Sequence, residues 1–355
     1  MSHYDTIILG QGLAGTTLAW ALRSVGVRAL VVDRDEAVTS SRIAAGLITP
    51  ITGQRLAMSW RFDELWPVAI AFYRHLETVT ETSFFRTGPM VRLILHAEEQ
   101  LKFVKKQDAA FRRLIAHPVP LVNADWFADP YGGFEMAPSA RLDVAAYLDA
   151  SWRYFQIQGL YRKDSVQIPD DIALSTDGVT IPRLGVAATR LVFCQGFSGV
   201  NNQWFSNVRF GAVKGEILTL RIPELNEPRT INRHGTWLTP LGNGLFRAGA
   251  TYDRTNLDQV PTTAGREAIL TQISQFVRLP VEVIAHDAAV RPIVPSNRPV
   301  IGIHAKYPQL AYFNGLGSKG SLSAPFFAMQ LANHLASGTA IEREVDLQEL
   351  PPFAV

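Results

Sequence analysis

The sequence predicts an α/β fold in which a parallel-sheet domain, interrupted twice along the chain, carries a second domain built on an antiparallel sheet. Three observations support this fold class. Residues 5–33 have the pattern of strand, glycine turn, helix and strand, residues 309–336 begin with the same order, and the segments between them contain β-rich runs of a different texture. Strands that alternate with helices are typical of parallel sheets, whereas successive strands without helices are typical of antiparallel ones.

The opening unit has the pattern of a Rossmann-like dinucleotide-binding turn. A short apolar strand, Ile7–Leu9, leads into glycines at G-x-G-x-x-G spacing, and an apolar helical pattern follows. The glycines permit the tight turn, the close approach of backbone to a pyrophosphate and close helix–strand packing. A second apolar strand ends on a carboxylate that can bind ribose hydroxyls. The predicted cofactor-binding residues of this unit are Gly10, Gly12, Leu13, Ala14, Gly15, Asp33 and Arg34.

Arg34 leaves the kind of dinucleotide open. An arginine directly after the acid is suited to the extra phosphate of a nicotinamide cofactor, but it is equally consistent with a solvated strand end. The motif therefore predicts a dinucleotide without identifying it.

Composition and charge narrow the class of protein. The 355 residues are 47% hydrophobic and 19% charged, with a formal net charge of +2, which is ordinary for a globular protein and does not favour nucleic acid or a membrane as partner. There is no apolar run of membrane-spanning length, no signal segment at the start, and one cysteine. We therefore expect a cytoplasmic enzyme without a disulfide.

The sequence contains no motif for metal binding, a phosphate loop or hydrolase chemistry. The eight histidines show no i, i+4 pair and a single cysteine cannot form a thiolate cluster, so no metal site is expected. No phosphate loop of the G-x-x-x-x-G-K type occurs. Gly196–Gly199 is one residue short of the nucleophile elbow of hydrolases, which argues against hydrolase chemistry.

The dinucleotide-domain features recur in three separated segments. Besides the opening unit, they include the apolar strand and turn at residues 190–199 and the strand, glycine turn and apolar helix after residue 309. We therefore predict a discontinuous nucleotide-binding domain formed by residues 1–57, 139–209 and 286–355. The intervening segments, residues 58–138 and 210–285, are predicted to form the antiparallel-sheet domain. A binding site is expected where the two domains meet.

The second glycine turn is suited to negative charge. A predicted strand, Leu310–Phe313, leads into a second G-x-G-x-x-G and a helix, but no acid follows at the distance of a ribose-binding carboxylate. Backbone N–H groups and a helix N-terminus attract anions, and the lysine of the turn would add to this field. The anion would be a phosphate or the charge on a reduced flavin, and a plain helix-start turn is the alternative. The residues concerned are Gly315, Gly317, Ser318, Lys319, Gly320 and Ser321.

Taken together, these segments resemble the FAD-dependent amine oxidoreductases of the D-amino acid oxidase and glycine oxidase superfamily. The closing GLGSKGSLSAPF is most similar to the oxidase half of bifunctional tRNA wobble-uridine modification enzymes. The resemblance covers most of the chain. The motifs that carry it stand in the family's order: GQGLAG and its acid, SSRIAAGL at residues 40–47, FCQG at 193–196, VKGE at 213–216, GAT at 249–251, RPIVP at 291–295 and PVIG at 299–302.

The resemblance implies FAD rather than a nicotinamide cofactor. It also implies that the SSRIAAGL segment passes close to the flavin and that FCQG forms a strand-end turn of the family. Flavin attachment as in sarcosine oxidases would need a cysteine near the C-terminal glycine turn, whereas Cys194 ends a predicted buried strand, so non-covalent FAD is expected. The further cofactor-binding residues implied are Ser41, Arg42, Ala45, Gly46, Leu47, Gln195 and Gly196.

Three side chains are the candidates for substrate recognition. The arginine that corresponds to Arg291 pairs with the substrate carboxylate in the family, since a planar guanidinium offers two parallel donors. The alternative is an arginine salt-bridged inside the sheet. Trp237 and Tyr252 fall at positions of pocket aromatics and would wall the substrate side of the flavin, although core packing also explains aromatics on strands. Trp237 replaces the family's tyrosine, which argues against a simple glycine-like substrate.

The resemblance implies an FAD-dependent oxidoreductase that oxidises the C–N bond of a small amino acid or secondary amine bearing a carboxylate. The expected steps are hydride transfer to the flavin and hydrolysis of the imine, after which oxygen or another acceptor reoxidises the flavin. One alternative is a flavin dehydrogenase or hydroxylase of a non-amino-acid substrate. The other is a flavin-binding subunit or scaffold with little turnover, for which exposed Phe62, Trp66 and Trp126 would form a partner surface. The closing motif leaves a tRNA substrate open, without a basic footprint to support it.

Overall fold

The computed structural model describes residues 1–53, 55–119, 122–233 and 235–350. The expected domain segments also include residues 54, 120–121, 234 and 351–355, which lie outside the described residues. Within the described part of the chain, the predicted α/β fold class is confirmed. One large sheet is mainly parallel, a second is mainly antiparallel, and helices pack on both.

The secondary-structure elements are numbered in chain order. The strands are β1 (Ser2–Leu9), β2 (Ala29–Asp33), β3 (Leu47–Ile48), β4 (Ile51–Thr52), β5 (Ala57–Met58), β6 (Phe85–Thr87), β7 (Met90–Leu93), β8 (Ile115–His117), β9 (Gly133–Met136), β10 (Ala140–Leu142), β11 (Tyr161–Lys163), β12 (Ala173–Leu174), β13 (Val179–Ile181), β14 (Val186–Phe193), β15 (Val213–Arg221), β16 (Ile231–Arg233), β17 (Thr236–Gly242), β18 (Leu245–Gly249), β19 (Glu282–Arg291), β20 (Val300–Ile303) and β21 (Leu310–Asn314). The α-helices are α1 (Leu13–Ser24), α2 (Phe62–Thr80), α3 (Ala97–Lys105), α4 (Ala109–Arg112), α5 (Val144–Ile157), α6 (Thr263–Ser274) and α7 (Gly320–Ser337).

The opening unit forms as the sequence predicts. β1 and β2 pair in parallel, and α1 begins directly after the glycine turn. Ile7, Ile8 and Val31 are fully buried, because the strands of a parallel sheet are covered on both faces. α1 packs against α7, the helix that follows the second glycine turn. The two glycine turns are therefore brought to the same side of the molecule.

The parallel sheet has the strand order β11-β2-β1-β14, and β21 pairs in parallel with the second half of β14. The first half of β14 pairs instead with β13, which begins an antiparallel extension to β12. β20 pairs antiparallel with β21. The carboxyl ends of β1, β2, β14 and β21 lie at one edge of this sheet. The crevice outside such an edge is the usual ligand site of open α/β sheets.

The second large sheet has the strand order β19-β15-β18-β17-β16-β7-β9-β8. Its pairs are antiparallel except for β16 and β7, which run parallel. α6 packs on β15, β17 and β18 and covers one face. β19 runs from Glu282 to Arg291 and therefore continues across the domain boundary predicted at residue 286.

Among the described residues, two smaller sheets accompany the two large ones, and many aromatic side chains are buried in the hydrophobic cores. β10 pairs with both β3 and β6 in a small three-stranded sheet. Phe62 is buried, and Trp66 and Trp126 are partly buried against hydrophobic cores, so these three residues do not form an exposed apolar surface.

Across the described ranges, no helix combines the length and apolar character needed to span a bilayer.

Gly15 is a close-packed position of the first glycine turn. A Cβ atom there would overlap the backbone carbonyl of Gly10 and lie 3.2 Å from the Cβ of Cys194. We expect Gly15→Ala to lower the free energy of unfolding by about 1–3 kcal/mol, because backbone must shift to relieve the overlap. Urea unfolding measures this. Gly88→Ala is the matched control, since a Cβ at Gly88 meets no atom within 4 Å, and equal losses in both variants would contradict the packing role.

Candidate functional site

The first glycine turn brings backbone N–H groups to the edge of the parallel sheet. Gly10 has a φ of +108°, and a Cβ there would overlap the carbonyl of Cys194 at the end of β14, so only glycine fits. Gly12 begins α1 without a side-chain cap, and the first turn of α1 contains no acidic residue. The helix N-terminus therefore keeps N–H donors for an external anion.

Two side chains hold this turn in place. Asp33, at the end of β2, accepts hydrogen bonds from the backbone N–H of Gln11 at 2.6 Å and of Asp35 at 2.7 Å. The Ser41 hydroxyl accepts from the backbone N–H of Leu13 at 3.0 Å. Asp33 and Ser41 also line the adjoining cavity, so they fix the turn and face the ligand space at once.

A cavity of about 840 Å³ lies between the carboxyl edge of the parallel sheet and one face of the antiparallel sheet. The structure thereby brings most of the predicted site residues, which are scattered over the whole chain, to one place. The predicted residues that line it are Gly10, Gly12, Leu13, Ala14, Asp33, Arg34, Ser41, Ala45, Gly46, Leu47, Gln195, Gly196, Trp237, Tyr252, Arg291, Gly317, Ser318, Lys319, Gly320 and Ser321.

Three of the predicted residues, Gly15, Arg42 and Gly315, do not line the cavity. Gly15 faces the carbonyl of Gly10 and allows the close helix–strand packing that the motif spacing predicts. Arg42 forms an ion pair with Asp149 at 2.7 Å, so its guanidinium has a structural partner. Gly315 has a φ of +79° and allows the chain to turn out of β21.

Arg291 ends β19, and its guanidinium lies over Gly215 of the neighbouring strand β15. A Cβ at Gly215 would overlap the guanidinium. The guanidinium also donates to the carbonyl of Thr251 at 3.3 Å and lies 4.7 Å from the ring centre of Tyr252. Burial lowers the pKa of Arg291 below its ordinary value. Among the described residues no carboxylate forms an ion pair with Arg291, so the internal salt bridge considered from the sequence is not found there.

Trp237 and Tyr252 border the cavity in different ways. The ring of Trp237 is partly buried and lies against Gly249, where a Cβ would meet it at 3.1 Å and the side chain of Ile217 at 3.2 Å. Tyr252 is 61% exposed and stacks on the guanidinium of Arg291. Trp237 is thus an inner wall of the cavity, and Tyr252 lies at its mouth.

Lys319 adds a second partly buried cation to the cavity. Its Nζ donates to the hydroxyl of Thr49 at 3.0 Å, and it forms no ion pair with a carboxylate of the described residues. Burial lowers the pKa of Lys319 from 10.5 to about 8. The residue directly precedes α7, whose N-terminus also favours negative charge. Lysine and helix together form a site suited to an anionic group.

Cys194 lines the cavity between the two glycine turns. Its side chain is buried, and burial raises the pKa of the thiol. A thiol of this kind stays protonated at neutral pH and is a poor nucleophile.

Three of the cavity residues that sequence reasoning missed bear on ligand binding. Gly215 stands in the VKGE motif, but its place beneath Arg291 depends on the pairing of β15 with β19. Arg92 and Asn232 line the cavity from β7 and β16, which are far apart in the sequence and pair in parallel. No local motif marks Arg92 or Asn232, so only the tertiary structure could reveal them.

Comparison with known proteins identifies the family of this chain. The profile of the FAD dependent oxidoreductase family matches residues 5–334. The oxidoreductase YurR of Bacillus subtilis (strain 168) is 22% identical in an alignment of 383 positions that covers 98% of this chain and 98% of that protein. The tRNA 5-methylaminomethyl-2-thiouridine biosynthesis bifunctional protein MnmC of Idiomarina loihiensis is 22% identical over 93% of this chain and 55% of that protein, so the chain spans about half its length.

The glycine oxidase from Geobacillus kaustophilus has a similar fold, with a TM-score of 0.79 at 19% identity over 96% of each chain. The resemblance inferred from the motifs is confirmed, because the family profile covers most of the chain. The protein therefore belongs to the FAD dependent oxidoreductase family and is an enzyme with FAD as its cofactor.

Proposed function

We propose that this enzyme oxidises the C–N bond of a small amino acid or secondary amine that bears a carboxylate, and that the resulting imine is hydrolysed. The observation that carries the proposal is the guanidinium of Arg291, which lies partly buried at the cavity without a carboxylate partner among the described residues. A buried cation of this kind is costly unless a ligand supplies the missing anion. A carboxylate matches the parallel donors of a guanidinium.

The cavity residues fit a bound FAD. The dinucleotide part of FAD fits the glycine cradle, which Cβ atoms would fill, the carboxylate of Asp33 and the N-terminus of α1, where no acidic residue occupies the first turn. Lys319 and the start of α7 suit an anionic ring system. FAD supplies the two-electron acceptor for the oxidation. We infer non-covalent binding, since the thiol of Cys194 is protonated and buried.

The same residues suggest which segments bind the cofactor and which bind the substrate. We infer that residues 1–57, 139–209 and 286–355 hold FAD, and that residues 58–138 and 210–285 hold the substrate. The glycine turns belong to the first set. Gly215, Trp237 and Tyr252 belong to the second set, and Arg291 stands at the end of the strand that joins the two.

The protein's contribution to the reaction is orientation and the exclusion of water. Arg291 binds the carboxylate and so aims the neighbouring C–H bond, which is a proximity effect. Trp237 closes the inner side of the cavity and Tyr252 borders its mouth. An amine that binds unprotonated needs no general base, and we assign none. Water then adds to the imine and releases a carbonyl compound and an amine.

Anaerobic titration of the flavin absorbance of the purified enzyme tests the proposal. The panel contains glycine, sarcosine, D-amino acids, larger N-substituted glycines and carboxymethylaminomethyl-uridine. Bleaching by one of them supports amine oxidation and identifies the substrate class. A flavin that none of them bleaches would contradict the proposal and favour another substrate or a scaffold role. Air, and then a quinone, added to the bleached enzyme distinguishes an oxidase from a dehydrogenase.

Replacement of Arg291 tests carboxylate binding directly. We expect Arg291→Leu to lower kcat/KM for a carboxylate substrate about a hundredfold or more, because charged hydrogen bonds worth about 1.5–3 kcal/mol each are lost. Arg190→Leu is the matched control, since Arg190 donates to the carbonyl of Leu335 and does not line the cavity. Unchanged kcat/KM in Arg291→Leu would remove Arg291 from the site.

Gly215 should set the position of the guanidinium. We expect Gly215→Ala to raise KM for the carboxylate substrate about tenfold, corresponding to ~1.4 kcal/mol, because the new methyl group displaces the side chain of Arg291. Steady-state kinetics measure the effect. At the nearby Gly211, a Cβ meets only the carbonyl oxygen of Ile293, at 3.9 Å, so Gly211→Ala should leave KM unchanged. Equal KM values in both variants would contradict this positioning role.

Lys319 should destabilise the protein when FAD is absent. Its pKa is lowered to about 8 by burial, so the folded chain holds this proton less tightly than the unfolded chain does. The resulting penalty is complete below pH 8 and disappears as the pH rises towards 10.5. We expect Lys319→Met to stabilise the FAD-free protein at pH 7 by about 3 kcal/mol and to give no gain above pH 10.5.

Urea unfolding of the FAD-free wild type and variant at the two pH values checks this expectation. Lys105→Met, which replaces an exposed lysine of α3, is the control and should give no gain at either pH. A Lys319→Met variant that is less stable than the wild type at pH 7 would refute the assignment of an unpaired buried charge.

A further inference from the structure

Beyond Arg291, the cavity contains a second set of hydrogen-bond donors that the proposed function does not use. Arg92 on β7 and Asn232 on β16 both line it. They are direct partners in the parallel pairing of these strands, so their side chains stand on the same face of the sheet. This face is the one that carries Trp237, which pairs with Asn232 across β17 and β16.

One donor atom of each of these two side chains is not satisfied by the protein. Within the described ranges, the Nε of Arg92 and the Nδ2 of Asn232 are enclosed and have no hydrogen-bond acceptor. Arg92 is only 4% exposed, so solvent does not replace the missing acceptor. Buried donors are nearly always paired in native proteins, and two unpaired donors on one cavity wall indicate an acceptor that arrives with a ligand.

Arg92 supplies the positive charge at this end of the cavity. It forms a buried ion pair with Glu99 and also donates to the carbonyl of Gly53, and neither of these bonds uses its Nε. The Nε is therefore a donor of a charged group that is left for a ligand. Hydrogen bonds from charged donors to carboxylates are stronger than those between neutral groups.

The distance between Arg291 and the pair Asn232 and Arg92 sets the length of the ligand. A row of paired residues crosses the sheet from Ile217 on β15 through Gly249 and Trp237 to Asn232 and Arg92. The guanidinium of Arg291 lies over β15, so Asn232 is three strands away and Arg92 four, which is about 14–19 Å at a strand spacing of about 4.8 Å. A small amino acid cannot reach both ends.

We propose that Asn232 and Arg92 form a distal subsite for a second carboxylate, carried at the far end of an elongated amino acid whose first carboxylate binds Arg291. This inference rests on the proposed function and deepens it by naming the substrate class. The ring of Trp237 lies between the two ends and would pack along the connecting chain. The far carboxylate can be carried by a substituent of the nitrogen or by the side chain of the α-carbon.

The kinetic experiment compares holoenzyme KM values for matched substrates. N-carboxymethyl, N-carboxypropyl and N-carboxypentyl glycine are each paired with the analogue of equal length that ends in a methyl group, and 2-aminoadipate is paired with norleucine. We expect the terminal carboxylate to lower KM about tenfold or more in the longer pairs and little in the shortest, because one to two charged hydrogen bonds are gained.

Two variants of Asn232 test the residue itself. Asn232→Leu should bring the ratio of KM values between terminal-methyl and terminal-carboxylate substrates to about one. Asn232→Asp should make the terminal-carboxylate substrate the weaker of the two and favour a terminal ammonium. Gln259→Leu removes another amide that lines the cavity and should keep the wild-type ratio. The ratio is taken within each variant, so a general loss of activity does not affect it. A ratio near one in the wild type at every length, or a ratio unchanged in both Asn232 variants, would overturn the subsite.

Direct binding separates this inference from the proposed function. Calorimetric titration of the holoenzyme with pimelate, which has two carboxylates and no amine, requires no oxidation. Binding that is at least about tenfold weaker in Asn232→Asp than in the wild type supports the subsite even where no amine bleaches the flavin, and equal binding overturns it. Bleaching by glycine or sarcosine without any effect of a far carboxylate would overturn the subsite alone.

Discussion

The close packing of α1 against the ends of β1 and β14 is the constraint on which the cavity depends. Gly10 faces the carbonyl of Cys194, and Gly15 faces the carbonyl of Gly10, so neither position has room for a Cβ. A larger residue would push α1 away from the sheet edge, and the donors at its N-terminus would move with it. Asp33 and Ser41 then fix the N–H groups of the turn. An edge suited to anions thus depends on two glycines, Gly10 and Gly15, which have no side chain.

Prediction from the sequence succeeded where the hydrophobic period and the turn residues agree locally. α1, β2, β21 and α7 each follow or precede a glycine turn and carry a clear apolar period, so their existence and order could be predicted. The pairing of the second sheet could not, because its register depends on segments far apart in the chain. Only the pairing of β15 with β19 places Gly215 under Arg291, and only the parallel pairing of β7 with β16 places Arg92 beside Asn232.

Two cations of the cavity, Arg291 and Lys319, differ from other cations of the described residues in how their charge is balanced. Arg61, outside the cavity, is paired with both Glu64 and Glu342, which is the usual arrangement for a buried charge. Arg291 and Lys319 have only a carbonyl and a hydroxyl among the described residues. The protein therefore accepts a loss of stability at these two positions. Such an unbalanced charge is typical of a binding site, where a bound ligand supplies the missing negative charge.

A small hydrophobic cluster joins residues 40–47 to the antiparallel sheet. Ile43, from the SSRIAAGL segment, packs on Ile217 and Ala289, and Trp237 adds its ring to the same cluster. Ala289 lies two residues before Arg291 on β19, and Ile217 lies two residues after Gly215 on β15, so they share the cavity face with the guanidinium. Any displacement of this segment would therefore alter the cavity wall beside Arg291. Arg247 on β18 also donates to the backbone carbonyl of Ile43 at 2.8 Å, so apolar packing and a hydrogen bond together hold this segment against the antiparallel sheet.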